Sequence, residues 1–346
     1  MSEAAVYWIG IDVAKKTFDA ALVRPGQHFP ETKLRDVPVE RFSRDPQGVE
    51  QFVAWWRGLL KQAPQAPAVR AIMEATGAYS IELTAWLCRQ CPQLAPAIVN
   101  PEQTSAFMKS MGLRNQTDRL AARALAFYGA ERRPAPYEPL TPGHRPLREL
   151  SRYRDALVGE RVAESNRKEQ RMQSKCVCVL RDRRERQRKR DIAKVEAEMK
   201  RVIETTPHLK KDFELLVTIP GVAFITAAVI LAEMGDLRRF ARARQATAFA
   251  GVSPRETTSG TSVNGQPHLC KKGSARVRQA LYLAAMAAVR GKNQLRHTYE
   301  ELLQHEKVPM VALGAIMRKL ITIMRAMLLS ETTFKTLWKT PLRKTA

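Results

Sequence analysis

Apolar residues follow two rhythms along this chain, and the rhythms divide it. Val6 to Ile11 and Phe18 to Val23 are short β-rich runs separated by Ala14-Lys15-Lys16, which predicts strand, turn, strand. From Gly48 to Lys61 the period lengthens, and Val49, Phe52, Val53, Trp56, Leu59 and Leu60 fall on one side of a helix. Val69 to Met73 predicts a strand ending at Glu74, and Ser80 stands where it could cap a helix from Ile81 to Cys91. Ala97 to Val99 predicts another strand, stopped by Asn100-Pro101, and Asp118 opens an Ala- and Leu-rich helix running to about Arg132. The order β, β, α, β, α, β, α predicts an α/β domain over residues 1–133. Ligands of such sheets gather beyond the carboxyl ends of strands, where Asp12 and Glu74 stand.

Prolines at positions 134, 136, 139, 142 and 146 then predict a linker. Leu147 to Thr206 has no proline and only Gly159 as glycine. Its charges are interrupted by Leu150, Tyr153, Leu157, Val162, Ile192, Val195, Met199 and Val202, which predicts one or two long helices. A coiled coil with irregular heptads would fill residues 134–206. After Pro207 the pattern is mostly helical, to residue 346. Ile219-Pro220-Gly221-Val222 leads into an apolar helix from Ala223 to Met234 and looks like a helix-hairpin-helix turn, where glycine lets backbone N–H groups reach a DNA phosphate. An ordinary tight turn is the competing reading. A helix from Ala243 to Ala250 ends at Gly251, and Pro254 to Gly273 reads as a loop of small and polar residues. Helices follow from Ser274 to Arg290 and Val311 to Leu329, with Met286, Met317 and Met324 as core.

Charge narrows the function. Lysine and arginine number 58 against 34 acidic residues, a net charge of +24, which calls for a polyanionic partner. Nucleic acid fits better than a membrane, because no apolar run of about eighteen residues appears. No secretory signal is evident, and five cysteines, an odd count, fit a reducing cytoplasm. Cys88 and Cys91 make a lone C-x-x-C, Cys176 and Cys178 a C-x-C, and Cys270 stands alone. Zinc needs two correctly spaced pairs, so Cys88 and Cys91 read as buried thiols. Within Arg181 to Arg190, Arg183, Arg184 and Arg186 are candidate phosphate contacts, against an exposed helix face as the plain alternative. Arg255 and the pair Lys271-Lys272 are further candidates of the same kind.

Three acids carry the chemistry. Asp12, Glu74 and Asp118 lie in separate segments of a basic protein, each beside apolar strand-like or helical sequence. Carboxylates that converge repel one another unless a cation neutralises them, and hard oxygen ligands suit magnesium working on a phosphate backbone.

A set of motifs now occurs in one order. It comprises Ile9-Gly10-Ile11-Asp12-Val13-Ala14-Lys15, Met73-Glu74-Ala75-Thr76-Gly77-Ala78-Tyr79, Arg114-Asn115-Gln116-Thr117-Asp118, Ile219-Pro220-Gly221-Val222 and Phe249-Ala250-Gly251-Val252-Ser253-Pro254-Arg255. With them the chain resembles, over nearly its whole length, transposases of the bacterial insertion-sequence family numbered one hundred and ten, in which a bridge RNA guides recombination. The resemblance implies a RuvC-like N-terminal domain of the RNase H fold, a coiled-coil middle and a C-terminal transposase domain. It implies an Asp-Glu-Asp-Asp set holding magnesium, whose first three members map onto Asp12, Glu74 and Asp118. It implies a nucleophilic serine, which maps onto Ser259, with Ser262 as the nearby competitor. Donor and target double-stranded DNA, a guide RNA and a homo-oligomer, dimer or tetramer, follow as expected partners, in a bacterial cytoplasm.

The chain departs from the pattern once. The fourth acid is expected three residues after Asp118, where the sequence has Ala121. Alanine cannot ligate a metal, so slow or absent strand cleavage is expected whether the residue is natural or introduced; the otherwise intact motif favours an introduced change. Two rivals stay open: a RuvC-like junction nuclease using water, and a catalytically degenerate nucleic-acid-binding scaffold. A serine hydrolase is disfavoured, because no G-x-S-x-G elbow appears.

Overall fold

The computed structural model describes residues 6–61, 67–113, 117–138, 141, 143–168, 174–259 and 263–335. The chain divides into two compact units, Met1–Pro139 and Leu140–Ala346.

The first unit is built on a mixed sheet. Its strands are β1 (Val6–Val13), β2 (Thr17–Val23), β3 (Val39–Ser43), β4 (Ala68–Glu74) and β5 (Ala97–Val99), in the spatial order β3-β2-β1-β4-β5. The first three pair antiparallel, while β4 lies parallel to β1 and β5 parallel to β4. The helices are α1 (Pro46–Leu59), α2 (Ala78–Gln90), α3 (Pro101–Ser110) and α4 (Asp118–Arg132). This arrangement is compatible with an RNase H-like domain.

Strand alternation sorts the side chains between the two faces. Ile9, Ile11, Phe18, Ala20, Leu22, Ala71 and Met73 form one core with Phe52 and Trp56 of α1 and Leu83 and Leu87 of α2. Trp8, Ala21, Val23 and Ile72 point the other way and pack with Phe107 of α3 and Ala122, Leu125 and Ala126 of α4.

Three expectations are corrected in this unit. Strand β3 was unexpected: Val39-Glu40-Arg41-Phe42-Ser43 is a largely polar edge strand, with Phe42 its one buried side chain. Helix α3 was also unexpected, although Asn100 caps it by accepting from Glu102 N at 2.9 Å. Ser80 is not the cap of α2; the helix starts at Ala78 after Gly77, and the buried Ser80 hydroxyl donates back to the Gly77 carbonyl at 3.1 Å.

The second unit is helical, apart from one hairpin. It holds α5 (His144–Lys168), α6 (Lys175–Thr205), α7 (Pro207–Leu216), α8 (Phe224–Met234), α9 (Ala243–Phe249), β6 (Pro254–Ser259), β7 (Val263–Leu269), α10 (Ala275–Ala288), α11 (Gln294–Gln304) and α12 (Pro309–Ser330). The long helices are present, and α5 begins inside the expected linker. Ion pairs Arg154–Glu196 at 2.7 Å, Arg188–Glu160 at 3.1 Å and Arg181–Glu164 at 2.7 Å show that α5 and α6 run antiparallel. They also share the core of the whole unit: Leu147, Leu157, Ile192 and Met199 cluster with residues of α8, α10 and α12. Arg148 of α5 donates to the Ala232 carbonyl of α8 at 2.8 Å, and Arg152 pairs with the buried Glu233.

The segment read as a loop is largely the β6–β7 hairpin, antiparallel, with an irregular register between Arg255 and Thr257. Helix α11 was unexpected as well. Met317 and Met324 are buried and Met286 packs at the core's margin, as read. The Ile219-Pro220-Gly221 turn does join two helices, but its glycine serves the fold. Gly221 has φ +86°, and a β-carbon there would lie 2.6 Å from the Ala288 nitrogen and closer to the Ala284 carbonyl of α10. The close approach is to the chain's own helix. Among the described residues, no helix is long and apolar enough to cross a membrane.

Candidate active site

Asp12, Glu74 and Asp118 come to one edge of the first unit's sheet for reasons that can be followed along the chain. Trp8, Gly10 and Asp12 alternate onto the α4 face of β1. Gly10 is the contact point with α4: a β-carbon there would stand 2.8 Å from the Leu125 carbonyl carbon and nearer still to the Ala122 oxygen and Ala126 nitrogen. Asp118 lies one helical turn before Ala122, so the glycine contact seats the first turn of α4 toward Asp12. Thr117 caps that turn by accepting from Leu120 N at 3.3 Å, and an acid in the first turn suits the helix dipole. Glu74 ends β4, in parallel register beside β1, and accepts from the Thr104 hydroxyl of α3.

The structure adds residues that the sequence reading missed. Asp19 of β2 sits directly across from Asp12 in the antiparallel pair and is 1% exposed. Arg41 of β3 donates to Asp19 at 3.0 Å from Nε and 2.8 Å from Nη2, and Nη2 also reaches Asp118 Oδ2 at 2.9 Å. The Asp19 bonds, more than Asp118, hold the Arg41 guanidinium in its charged form. Arg119 approaches Asp19 at 3.8 Å. Asp19 had a signal in the sequence, a lone acid inside the apolar run Phe18-Asp19-Ala20-Ala21-Leu22. Arg41 had none while β3 went unrecognised.

Electrostatics show that the acids are coupled. The Asp12 carboxyl is pushed up to about 6, first by burial, then by the negative charges of Asp118, Glu74 and Asp19. Among the described residues, no three His, Cys, Asp or Glu side chains close on one point that could hold a metal ion. The carboxylates feel one another without forming a finished coordination sphere, and Arg41 spans part of the gap. The donors are all oxygen and Asp12 carries uncompensated repulsion, so the set fits a hard divalent cation. Ala121 lies one turn beyond Asp118 and offers no ligand.

The other residues read from the sequence lie elsewhere. Ser259 is the last residue of β6, in the second unit, and Ser262 lies outside the described residues, as do Arg114, Asn115 and Gln116. Arg255 is exposed on β6, and Lys271 and Lys272 are exposed just past β7. Arg183, Arg184 and Arg186 are exposed on α6, but Arg181 of the same run is buried against Glu164. Cys91 is buried, Cys88 half-buried, and Cys176 and Cys178 exposed. Burial pushes the Cys88 and Cys91 thiols up, away from the thiolate a metal requires.

Comparison with known proteins agrees with this layout. A model of the DEDD transposases of the IS110 group, described as "Transposase", matches residues 9–176, which contain Asp12, Glu74 and Asp118. The model described as "Transposase IS116/IS110/IS902 family" matches residues 213–300, which contain the β6–β7 hairpin. The chain is 29% identical over 322 residues to the pilin gene-inverting proteins of Moraxella lacunata and Moraxella bovis, covering 93% of this chain and 95% of each of theirs. It is 35% identical over 80 residues to the transposase for insertion sequence element IS1111A of Coxiella burnetii, 23% of this chain and 22% of that one. Two family matches in the expected order, the first over the segment that holds the three acids and the second over the hairpin segment, lead to one conclusion: this chain belongs to the IS110 family of transposases, enzymes that move DNA.

Proposed function

We propose that this chain is the protein of an RNA-guided DNA recombinase that cleaves and rejoins strands through a serine–DNA link. The observation that carries the reading is the family match over residues 9–176 together with the placement of Asp12, Glu74 and Asp118 at one edge of the sheet, and the rise of the Asp12 carboxyl beside Asp118 and Glu74 supports its metal half. Asp12, Glu74 and Asp118 would hold magnesium, with Thr104 fixing the Glu74 carboxylate. When bound, the ion supplies charge neutralisation at the scissile phosphate. The Ser259 hydroxyl attacks phosphorus; an O–P bond forms to serine, and the bond to the DNA 3′ oxygen breaks, leaving a 3′-hydroxyl. A 3′-hydroxyl of the other DNA reverses the step and releases serine. Ser259 and the acids must act on one phosphate, and the family resemblance suggests that they are supplied across protomers.

In this reading residues 1–133 are the RuvC-like domain, 134–206 the coiled-coil segment that joins protomers into a dimer or tetramer, and 207–346 the transposase domain. Base pairing of a guide RNA would choose donor and target, while the protein binds backbone and shape through Arg183, Arg184, Arg186, Arg255, Lys271 and Lys272.

Replacing Ala121 with Asp tests the metal half. Recombination of donor and target DNA, assayed with the RNA encoded beside the gene, should rise from near background; no gain defeats the reading. Trapping protein on labelled DNA tests the other half. Ser259→Ala should abolish the adduct, whereas cleavage that survives it favours the water-using junction nuclease. The scaffold reading draws on Arg41, which spans Asp19 and Asp118, and on Ala121. It is the outcome if Ala121→Asp binds DNA yet never forms an adduct.

A further inference from the structure

The root of the β6–β7 hairpin carries a group of side chains that neither the acids nor Ser259 uses. Phe249, the last residue of α9, is 40% exposed. Its ring lies 5.5 Å from that of Phe240, tilted by 54°. The Arg239 guanidinium stands 4.8 Å from the Phe240 centroid and 5.2 Å from that of Phe249.

The group is anchored. Phe240 packs on the helical core, and Arg325 of α12 donates to the carbonyls of Phe240 and Ala241 at 2.8 and 2.9 Å. The Phe249 carbonyl accepts from Ser274 N at 3.4 Å, and a β-carbon at position 273 would meet that oxygen at 2.5 Å. The segment carrying Lys271 and Lys272 therefore presses against the backbone of Phe249. Arg278 fixes it by donating to the carbonyls of Lys271 and Gly273 at 2.9 and 3.0 Å. Cys270 N bonds to the Ser253 carbonyl at 2.9 Å and closes the hairpin's root.

A single exposed apolar ring is ordinary. An exposed ring held beside a second one, with a guanidinium over both and exposed Arg242, Arg244 and Lys271 in the adjoining segments, is a surface of different chemistry. Aromatic faces stack nucleobases without regard to sequence, Arg planes add cation–π attraction, and neighbouring cations take the phosphates. A protein partner would not need that charge. We propose that Phe249, with Arg239, is a stacking platform for one unpaired base of a DNA strand. The choice of DNA over RNA rests on the serine reading above, because the strand joined to Ser259 is the one that must cross the hairpin.

The test uses the full chain and a single-stranded DNA in which a fluorescent adenine analogue is moved one position at a time. The parent protein and Phe249→Trp should quench the analogue at one position of the strand and not at the others. Phe249→Leu keeps an apolar side chain of similar reach, and it should lose the quench and weaken binding about five- to one-hundred-fold. Binding and quenching by Phe249→Leu equal to the parent would overturn the proposal, as would a quench seen only with RNA of the same sequence. Ser259→Ala should keep the quench. A quench that persists while even Ala121→Asp forms no adduct upholds the platform and removes the serine reading, so the two failures are told apart.

Discussion

Arg41 donates to Asp118 at 2.9 Å while its other bonds tie it to Asp19, a carboxylate sealed inside the sheet. The guanidinium therefore holds one of the proposed metal ligands from a fixed post. A cation arriving at Asp118 must compete with it. Arg41→Gln should have two opposite effects. Without divalent ions the first unit should melt lower, because the buried Asp19 loses its main partner and keeps Arg119 at 3.8 Å. With magnesium or manganese the affinity should rise severalfold, read by titration calorimetry and by the cation-induced gain in melting temperature. Unchanged or weaker metal binding would show that Arg41 does not compete.

Gly10 supports the same geometry from below. With the α4 backbone pressed on it, any β-carbon must push the helix off β1. Gly10→Ala should destabilise the first unit by at least about 1–3 kcal/mol, the usual cost of overpacking, since backbone cannot step aside as a side chain can. Asp118 should then lose its approach to Asp12. A pH titration of the Asp12 carboxyl by NMR would show this as a fall from about 6 toward its ordinary value of 3.8. A stable Gly10→Ala protein with Asp12 unmoved would contradict the account.

Asp12 makes the first unit's stability depend on pH in a stated direction. Its folded carboxyl sits near 6 and its ordinary value is 3.8. Below about pH 4 both states carry the proton and nothing is lost. Between about 4 and 6 the unfolded chain releases a proton that the folded chain keeps, so stability falls as pH rises. Above about 6 the loss is complete, at most about 3 kcal/mol at 1.4 kcal/mol per pH unit and less after solvent screening. Asp12→Asn should remove this decline and raise the melting temperature at pH 8 but not at pH 4. Magnesium should stabilise the parent at pH 8 and leave Asp12→Asn nearly unmoved. A flat pH profile in the parent would rule out the coupling.

How much of this was legible in the sequence depends on burial. Strands β1 and β4 and helix α4 carry continuous apolar runs with clear stops, and their bounds emerge nearly intact. Strand β3 is polar on its exposed side and could not be told from a loop, so Arg41 was lost with it. The β6–β7 hairpin holds Thr257, Thr258, Ser259, Asn264 and Gly265 between Pro254 and Pro267, a composition that imitates a loop; pairing along the backbone makes it a hairpin. Gly221 had the right pattern for phosphate binding, but the pattern does not reveal that α10 already lies against it. The acids were legible as types at strand ends. Their meeting was not, because it depends on a glycine under a helix more than one hundred residues away.

The basic run of α6 shows how misleading a charge count can be, and it yields the last prediction. Arg181 is 7% exposed and bonded to Glu164, itself buried, whereas Arg183, Arg184 and Arg186 face solvent. The same residue type should therefore fail in two different ways. Glu164→Ala removes the acceptor of the Arg181 Nε bond inside the α5–α6 pair and should lower stability clearly, read as a fall in melting temperature. Hydrogen exchange should quicken along α5 and α6, with DNA affinity falling only as folding does. Arg183→Ala should change stability by less than about 0.5 kcal/mol. If Arg183 meets a phosphate, the slope of log affinity against log salt should shrink by about 0.9. An unchanged slope in Arg183→Ala, Arg184→Ala and Arg186→Ala alike would mean that this face of α6 does not carry nucleic acid. The basic contact would then fall to Arg255 and the lysines beside the serine hairpin.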